Sequence, residues 1–233
     1  LVENRGGILK ALLPAIVNSL AVVIGSLIGF FLRKGISERF RTILFYAVGL
    51  STIGIGIQMI VGVNDFLIVL FSMVIGGVIG EWFDIERRLK KFGDTMQEGD
   101  FSTGFVASSL LFLVGPMTIV GSITAGLKGD GSIIFTKSIL DFVSSIVLSS
   151  TYGLGVMVSA VTVLVVQGAI TLLAGALTFL TSPEYLNDLV AVGGLMVFGI
   201  GLRILEIKDT RVGNFLPSLF VSPFLTFIVS LFK

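Results

Sequence analysis

The stretch ALLPAIVNSLAVVIGSLIGFFL, residues Ala11–Leu32, decides the fold class of this chain. It holds no charged residue, and crossing the hydrocarbon core of a bilayer takes about 20 mostly apolar residues. Similar stretches follow one another along the rest of the chain, with only short polar breaks between them. The membrane is therefore the solvent of this protein, and each apolar stretch predicts a transmembrane helix.

Composition excludes several classes of function. The 233 residues are 54% hydrophobic and 13% charged, whereas ordinary soluble domains are roughly 45–50% apolar and about 25% charged. A net charge of only +1 offers no basic face to neutralise phosphates, so we expect no nucleic-acid partner. The absence of Cys and His removes disulfides, thiolate nucleophiles and the usual zinc ligands. We therefore expect no metal site and no cofactor.

The hydropathy pattern predicts about eight transmembrane helices, so that residues 1–233 form a single all-α integral membrane domain. The predicted spans cover residues 11–32, 43–61, 66–83, 105–127, 133–149, 153–180, 189–205 and 215–232. Residues 84–98 differ, because apolar residues recur there at helical spacing while basic residues fill the other side. This segment predicts an interfacial amphipathic helix, with a solvated loop helix as the alternative.

The fourth predicted span carries an interruption at LVGPMTIVGS, residues 113–122. Pro116 removes a backbone donor, and glycines on either side loosen the chain, so a kinked or broken helix is predicted. A kink frees carbonyl groups that could bind a cation or a polar solute, which makes Gly115, Pro116, Met117 and Thr118 candidate pathway residues. A kink that only shapes packing is the alternative.

Basic residues in short loops set the predicted orientation, since cytoplasmic loops retain Lys and Arg. The basic clusters are Arg33/Lys34/Arg39/Arg41, Arg87/Arg88/Lys90/Lys91 and Lys208/Arg211. With eight spans, all three clusters fall on one side of the membrane, so both termini are predicted to face outward. A re-entrant segment at residues 133–149 would put the last cluster outside, which disfavours that alternative.

A comparison of the chain with itself predicts an internal repeat. YAVGLSTIGIGIQMI (Tyr46–Ile60) resembles VAVGGLMVFGIGLRIL (Val190–Leu205), with AVG and GIG in the same order. Neighbouring spans align more loosely, so residues 11–83 are interpreted as repeat one and residues 153–233 as repeat two, around the central spans 105–149. Span one then matches span six, and this odd displacement gives inverted topology, the plan of many secondary transporters. Chance similarity among Gly, Val and Ile is the alternative.

Lys137 and Asp141 are the charged candidates, and they lie one helical turn apart inside a predicted span. At that spacing they can face each other and partly neutralise one another. Ionisable groups at that depth are costly and mark functional sites by default, so Asp141 could change protonation or bind a cation during a transport cycle. A structural ion pair, or a Lys137 that reaches the outer surface, is the alternative.

Uncharged amide side chains within or beside predicted spans form a further group of candidates. They are Asn18, Gln58, Gln167 and Asn214. Each amide both donates and accepts hydrogen bonds, so it can contact a substrate or bridge neighbouring helices. Glu81, Asp84 and Glu86 sit at a membrane boundary beside basic residues, and we interpret them as anchors.

The segment LFLVGPMTIVGSITAGLKGDGS (Leu111–Ser132), continuing into TKSILDFVSS (Thr136–Ser145), resembles the bacterial membrane family catalogued as the domain of unknown function DUF554. NSLAVVIGSLIG (Asn18–Gly29), GGVIGEWFDIERRL (Gly76–Leu89) and GNFLPSL (Gly213–Leu219) resemble the same family, so the likeness covers nearly the whole chain. The resemblance implies a multi-pass protein of the prokaryotic cytoplasmic (inner) membrane and supplies no substrate or reaction.

These observations predict a small membrane transporter for an ion or a small polar solute. Its pathway is predicted at the interface of the repeats, near Asp141 and the Gly115–Thr118 break. An ion channel that uses the same residues is the closest alternative. A scaffold or sensor explains the helices but not the charged pair.

A lipid-acting enzyme is the remaining alternative. It would need a positioned acid, base and nucleophile, which this residue inventory hardly supplies, so we expect no enzymatic activity and no catalytic residue. The expected partners are the lipid bilayer and a small solute or ion. GxxxG pairs are compatible with a dimer as well as with packing inside one chain, so the sequence is also compatible with a homo-oligomer.

Overall fold

A computed structural model describes residues 2–33, 37–96 and 101–232, and every regular element in these ranges is helical. In chain order the α-helices are α1 (Val2–Arg33), α2 (Glu38–Val61), α3 (Phe66–Trp82), α4 (Ile85–Met96), α5 (Phe101–Leu113), α6 (Pro116–Lys128), α7 (Ser132–Tyr152), α8 (Gly155–Leu172), α9 (Ala174–Leu177), α10 (Pro183–Ile204) and α11 (Ser218–Ser230). Two short 3-10 turns, Thr178–Thr181 and Val212–Phe215, precede α10 and α11. The all-α prediction is confirmed for the described ranges.

Five helical segments of the described chain are long and apolar enough to cross a bilayer, and the bent pair α5–α6 makes six if it counts as one span. The five are Gly7–Arg33, Ser132–Tyr152, Gly155–Leu172, Pro183–Ile204 and Val212–Ser230. Phe45–Val61 and Phe66–Trp82 are apolar as well but shorter. The chain is therefore a membrane protein built from several apolar helices.

The helices form two compact units, and each unit draws on both halves of the chain. The first unit holds the residues up to Ser37 and Thr103–Thr181, and the second holds Glu38–Ser102 and the residues from Ser182 onward. The first unit therefore contains α1 and most of α5 through α9, whereas the second contains α2, α3, α4, α10 and α11.

In the first unit, α1 packs between α7 and α8. It runs parallel to α7, because Asn18 contacts Asp141 and the hydroxyl of Ser149 donates to the carbonyl of Ser26 at 2.7 Å. It runs antiparallel to α8, where the hydroxyl of Ser19 donates to the carbonyl of Ala160 at 2.8 Å and Leu12 lies near Gly168. The middle of α1 is thus held between two helices.

The pair α5–α6 crosses the first unit from end to end, with a 59° bend at its break. Near the start of α5, Gly104 lies against Tyr152 at the end of α7. After the end of α6, Gly131 lies against Pro14 near the start of α1. The break itself falls at Val114 and Gly115, because Pro116 begins a new helix rather than interrupting one. The predicted broken helix is therefore present in the described chain.

In the second unit, α10 packs along α2, and α11 packs along α3. The antiparallel pair α2–α10 meets at glycines, since Gly49 faces Gly201 while Gly56 faces Gly194. At the ends of α3 and α10, Arg211 donates to Glu81 at 2.9 Å. The basic loops after α3 and α10 therefore lie at the same end of this unit.

Three predicted boundaries are corrected by the structure. The sixth predicted span, residues 153–180, ends as α8 at Leu172, because 18 residues of helix already cover about 27 Å. The seventh begins six residues before its predicted start at Leu189, since Pro183 occupies the first turn, where its missing N–H is harmless. The predicted amphipathic segment 84–98 forms α4 up to Met96, and residues 97 and 98 lie outside the described residues.

Candidate functional site

Four polar side chains meet inside the first unit, and we call them the charge–amide cluster: Asn18, Lys137, Asp141 and Gln167. Lys137 and Asp141 lie one turn apart on α7, and the ammonium of Lys137 donates to Asp141 Oδ2. Each of the two side chains is only 8% exposed. The predicted pairing of these charges inside a helix is present in the structure.

The two amides of the cluster come from α1 and α8. Asn18 Nδ2 donates to Asp141 Oδ2 at 3.0 Å and to Gln167 Oε1 at 3.3 Å, and both amide side chains are fully buried. The two remaining amide atoms, Asn18 Oδ1 and Gln167 Nε2, are buried and have no partner among the described residues. An unpartnered buried polar atom costs about 1–3 kcal/mol, so this site favours an occupant that can both donate and accept.

Small residues let α1 approach α7 closely enough for this contact. A Cβ atom added to Gly25 would lie 2.5 Å from the carbonyl oxygen of Phe142, and one added to Gly29 would meet the backbone of Ile146 and Ser150. Such contacts leave room only for glycine, as in other close helix pairs with small residues at four-residue spacing. The GxxxG pair of α1 therefore serves packing inside the chain.

The helix break lies beside the charge–amide cluster. Lys137 Nζ lies 5.8 Å from the centre of the Phe112 ring, which belongs to the last turn of α5. Across the break, the buried hydroxyl of Thr118 donates to the carbonyl of Phe112 at 2.9 Å. Phe112 thus connects the end of α5 both to Lys137 and to the start of α6. Within the break, Pro116 is exposed, while Gly115 and Met117 are half-buried.

The two remaining predicted candidates lie in the second unit and are not members of this cluster. Gln58 is exposed on α2. Asn214 is buried in the 3-10 turn before α11, where its Nδ2 donates to Glu81 Oε2 at 2.6 Å and its Oδ1 accepts from the backbone N–H of Glu86 at 2.7 Å. These bonds give Asn214 a local structural role, so it stays only a sequence-based candidate for the pathway.

Acidic anchors in the second unit hold the ends of α3 and α4 against the 3-10 turn Val212–Phe215 and the residue before it. Glu86 accepts from Arg203 at 2.5 Å and from the backbone N–H of Gly213 at 2.7 Å. Glu81 accepts from Arg211 and Asn214. The partners of both residues lie far away in the sequence. The sequence therefore predicts the acidic anchors, but not Arg203 as the partner of Glu86.

Sequence reasoning missed Asp188, which is fully buried near the start of α10. Its Oδ1 accepts from the backbone N–H groups of Asn64 at 2.9 Å and Asp65 at 2.8 Å, immediately before α3. Asp188 lies between the predicted spans 153–180 and 189–205, so the sequence does not identify it as a candidate within a span. The signal that could have found it is Pro183, which is typical of a first helical turn and places Asp188 inside a helix.

The chemistry available to the charge–amide cluster is that of oxygen and nitrogen ligands with one carboxylate. The structure shows no group of three or more Asp and Glu residues that could hold a metal ion within the described ranges. A single carboxylate beside neutral amides suits a proton, a monovalent cation or a small polar solute better than a divalent ion, which favours several carboxylates.

Comparisons with known proteins place the chain in a family. The sequence profile described as "Protein of unknown function (DUF554)" matches residues 13–227. An uncharacterized membrane protein of Bacillus subtilis (strain 168), YdfK, is 32% identical over 221 residues, which cover 93% of this chain and 96% of that protein. An uncharacterized protein of Escherichia coli (strain K12), YqgA, is 30% identical over 217 residues, 88% of this chain and 92% of that protein.

No solved structure is similar to the chain at a significant level. The family match spans the charge–amide cluster, the helix break and the acidic anchors described above. The chain therefore belongs to the DUF554 family of membrane proteins.

Proposed function

We propose that this protein is a transporter that moves an ion or a small polar solute through its first unit, past the charge–amide cluster. One observation carries the proposal: a buried ion pair lies beside two fully buried amides that each keep one atom without a partner among the described residues. Ionisable groups at membrane depth are costly and are retained where a pathway needs them. An ion pair with a purely structural role would gain no stability from neighbouring amides whose atoms lack hydrogen-bond partners.

The helix directions support eight crossings of the membrane by the chain. In the first unit, α1 and α7 run one way, and α8 and the pair α5–α6 run the other. In the second unit, α3 runs parallel to α10 and antiparallel to α11, and α2 runs antiparallel to α10. If α5–α6 is one broken span and the shorter helices α2 and α3 also cross, the directions within each unit are those that eight alternating spans require.

Pairing of the helices supports an inverted repeat. Each helix of repeat one packs against its counterpart in repeat two: α1 against α8, α2 against α10, and α3 against α11. The contact between α2 and α10 is reciprocal, because a Cβ on Gly56 would lie 2.8 Å from the Gly194 carbonyl and one on Gly201 would lie 3.1 Å from the Gly49 carbonyl. The repeat aligns Gly56 with Gly201, and it aligns Gly194 with Gly49 to within one residue. If each helix is replaced by its counterpart, the same contact therefore results, as a two-fold relation requires.

This pairing also supports a repeat interface at the two amides. Asn18 lies on α1 and Gln167 on its counterpart α8, and they bond to each other beside Asp141. Secondary transporters commonly bind their substrates where inverted repeats meet, near a discontinuous helix. The α5–α6 break supplies such a helix next to Lys137.

We place the protein in the cytoplasmic membrane of a prokaryote, with the basic loops inside. The relatives come from two bacteria, and the basic segments after α3 and α10 lie at one end of the second unit. An ion channel through the same cluster is the second candidate, since both use a buried polar path. Unitary currents much faster than a carrier cycle would distinguish the channel. Enzymatic activity is not part of the proposal.

The test is reconstitution of the purified full chain into liposomes, followed by flux measurements with monovalent cations, protons, amino acids and small organic anions. Asp141→Asn is expected to lower the flux of the transported solute at least about ten-fold, because it removes the only carboxylate of the cluster. Asp130→Asn is the matched control.

Asp130 is exposed in the loop before α7, and the backbone N–H of Ser132 donates to it and lowers the pKa of that carboxyl. The carboxyl is therefore ionised at neutral pH, and Asp130→Asn makes the same substitution as Asp141→Asn at a position outside the cluster. Flux in Asp130→Asn should match wild type. Equal flux in Asp141→Asn and wild type, or no flux of any solute above that of empty liposomes, would overturn the proposal.

A further inference from the structure

We propose that the charge–amide cluster is an exchange site, at which a monovalent metal cation on Asp141 and the proton on Lys137 replace each other. The protein would then be an electroneutral cation/proton antiporter. This inference rests on the transport function proposed above and names its substrate class.

Charge balance is the first step of the argument. Among the described residues, the helices packed against α7 contribute no ionisable side chain to the cluster. Helix α1 contributes Asn18 and α8 contributes Gln167, while Phe112 of α5 lies beside Lys137 and bonds to Thr118 of α6. The other described charged side chains on these helices are Lys10, in the third turn of α1, and Arg33 and Lys128, at the C-terminal ends of α1 and α6. The cluster therefore carries one positive and one negative charge, and its burial makes any net charge costly.

This balance restricts what can bind. A cation that approaches Asp141 while Lys137 stays protonated leaves one uncompensated positive charge in a buried site. The site stays neutral if the N–H bond of the Lys137 ammonium breaks and the proton leaves to water on one side, with the bonding electron pair remaining on the nitrogen. One metal cation then replaces one proton, and the total charge of the cluster is zero before and after.

The unpartnered amide atoms show how the site can accept the cation. In the present arrangement Asn18 directs its N–H donors at Asp141 and Gln167, and its Oδ1 has no partner within the described ranges. A half-turn of the Asn18 amide would direct Oδ1 toward a cation on Asp141. A matching half-turn of Gln167 would let its Nε2, which now has no partner there either, donate to that same Oδ1.

The two amides thus have two hydrogen-bonded arrangements, one for each occupant of Asp141. With the ammonium in place, Asn18 donates to the carboxylate. With a metal cation in place, Asn18 accepts, and the two atoms that lack partners in the present arrangement pair with each other. An oxygen set of one carboxylate and one amide carbonyl, completed by water, is suited to a monovalent cation.

The test uses liposomes that contain the full chain and a pH-sensitive dye, with Na⁺ or Li⁺ added outside and the membrane potential clamped at several values. We expect the lumen to become alkaline at a rate that does not depend on the potential. Lys137→Gln should slow this proton movement at least ten-fold. Lys128→Gln, which removes the same charge from an exposed position at the end of α6, should leave the rate unchanged.

Binding provides a second measurement if Lys137→Gln folds poorly. In wild type, the midpoint for thermal stabilisation by Na⁺ or Li⁺ should rise about ten-fold for each unit of pH decrease in the range where one proton is released per cation bound. A midpoint that does not depend on pH would overturn the inference.

The remaining outcomes separate the two proposals. Proton movement whose rate changes with the clamped potential would overturn electroneutral exchange. Flux of another solute with no coupled proton movement would also overturn this inference but leave the transport function standing. If no solute moves in wild type, the transport function itself fails.

Discussion

At the residue scale, glycine is used where another backbone approaches. Gly29 in α1 faces the carbonyl of Ile146 and the N–H of Ser150, and these backbone atoms cannot move aside as a side chain could. By contrast, an added Cβ at Gly54 in α2 would find nothing within 4 Å. The same substitution should therefore have opposite effects at the two positions.

We expect Gly29→Ala to lower stability by about 1–3 kcal/mol, because it overpacks the α1–α7 contact. Gly54→Ala should raise stability by about 0.5–1 kcal/mol, because alanine favours a helix interior over glycine. Thermal unfolding in detergent measures both. Equal shifts in the two variants would contradict the close packing of α1 on α7.

A substitution of Gln167 tests whether the charge–amide cluster contributes to stability or to solute binding. Gln167→Met keeps the volume roughly constant and removes an unpartnered buried donor, while Asn18 keeps its 3.0 Å bond to Asp141. We expect stability without solute to change by less than about 1 kcal/mol and flux to fall at least about ten-fold. Thermal unfolding and liposome flux are the measurements.

Gln58→Met is the matched control, because Gln58 is exposed on α2. It should leave both stability and flux unchanged. A large loss of stability in Gln167→Met would show that Gln167 is a structural bridge, which is the other role that the sequence left open.

The sequence predicts the charged half of the cluster but not its amide half. Lys137 and Asp141 are four residues apart, so helical periodicity alone places them on one face. Asn18 is 123 residues from Asp141 and 149 from Gln167, and only the packing of α1 between α7 and α8 brings them together. Gln58 looked equivalent to Gln167 in sequence, because polarity inside an apolar run does not tell which face of the helix it occupies.

At the element scale, α4 depends on a partly buried acidic residue. The side chain of Glu86 is 13% exposed and bonds to Arg203 and to the backbone of Gly213, whereas that of Glu81 is 58% exposed where it meets Arg211. Exposed ion pairs contribute about 0–1 kcal/mol, while removal of one partner from a buried pair costs about 3–5 kcal/mol. The contribution of Glu86 to stability should lie between these limits, and that of Glu81 should lie near the lower one.

Glu86→Gln is therefore expected to lower stability by about 2 kcal/mol, and Glu81→Gln by less than about 1 kcal/mol. Thermal unfolding provides the comparison, and limited proteolysis reports whether α4 comes loose. If the order of the two variants is reversed, the contact with Arg203 is not what holds α4 in place.

Element boundaries were harder to predict than element types. The Gly115-Pro116 pair identifies the break, because proline restricts the preceding residue and removes a donor. The end of α8 at Leu172 has no such marker, since apolar residues continue beyond it. Hydropathy records the length of an apolar run, but not where packing ends the helix within it.

At the scale of the whole molecule, the predicted orientation can be tested with single cysteines, because the chain has none of its own. Cysteines at Gly62 and Glu184 should react with an impermeant maleimide in intact cells, since both positions are exposed and fall outside with eight spans. Cysteines at Arg88 and Lys208 should react only after the membrane is permeabilised.

Labelling of Glu184→Cys and Lys208→Cys from the same side would contradict a single crossing by α10. Labelling of Gly62→Cys from inside would reverse the orientation. Each variant is assayed for flux first, so that only transport-competent protein is compared.

The predicted repeat aligns spans by their sequence, and this alignment does not indicate that the aligned spans pack against each other. Each unit combines segments from both halves of the chain, so the predicted repeat blocks 11–83 and 153–233 do not correspond to separate compact bodies. Local similarity reports on individual helices. Which helices become neighbours depends on glycine contacts such as that between Gly56 and Gly194, which are long-range.

The buried Asp188 carboxylate has a consequence for the order in which the chain is made. It accepts the N–H groups of Asn64 and Asp65, which leave the ribosome more than 120 residues earlier. Until α10 is synthesised, water must hydrate those two groups, so the turn between α2 and α3 stays at the membrane surface. Insertion of the second half then replaces that water, which makes docking of α10 a late step in biogenesis.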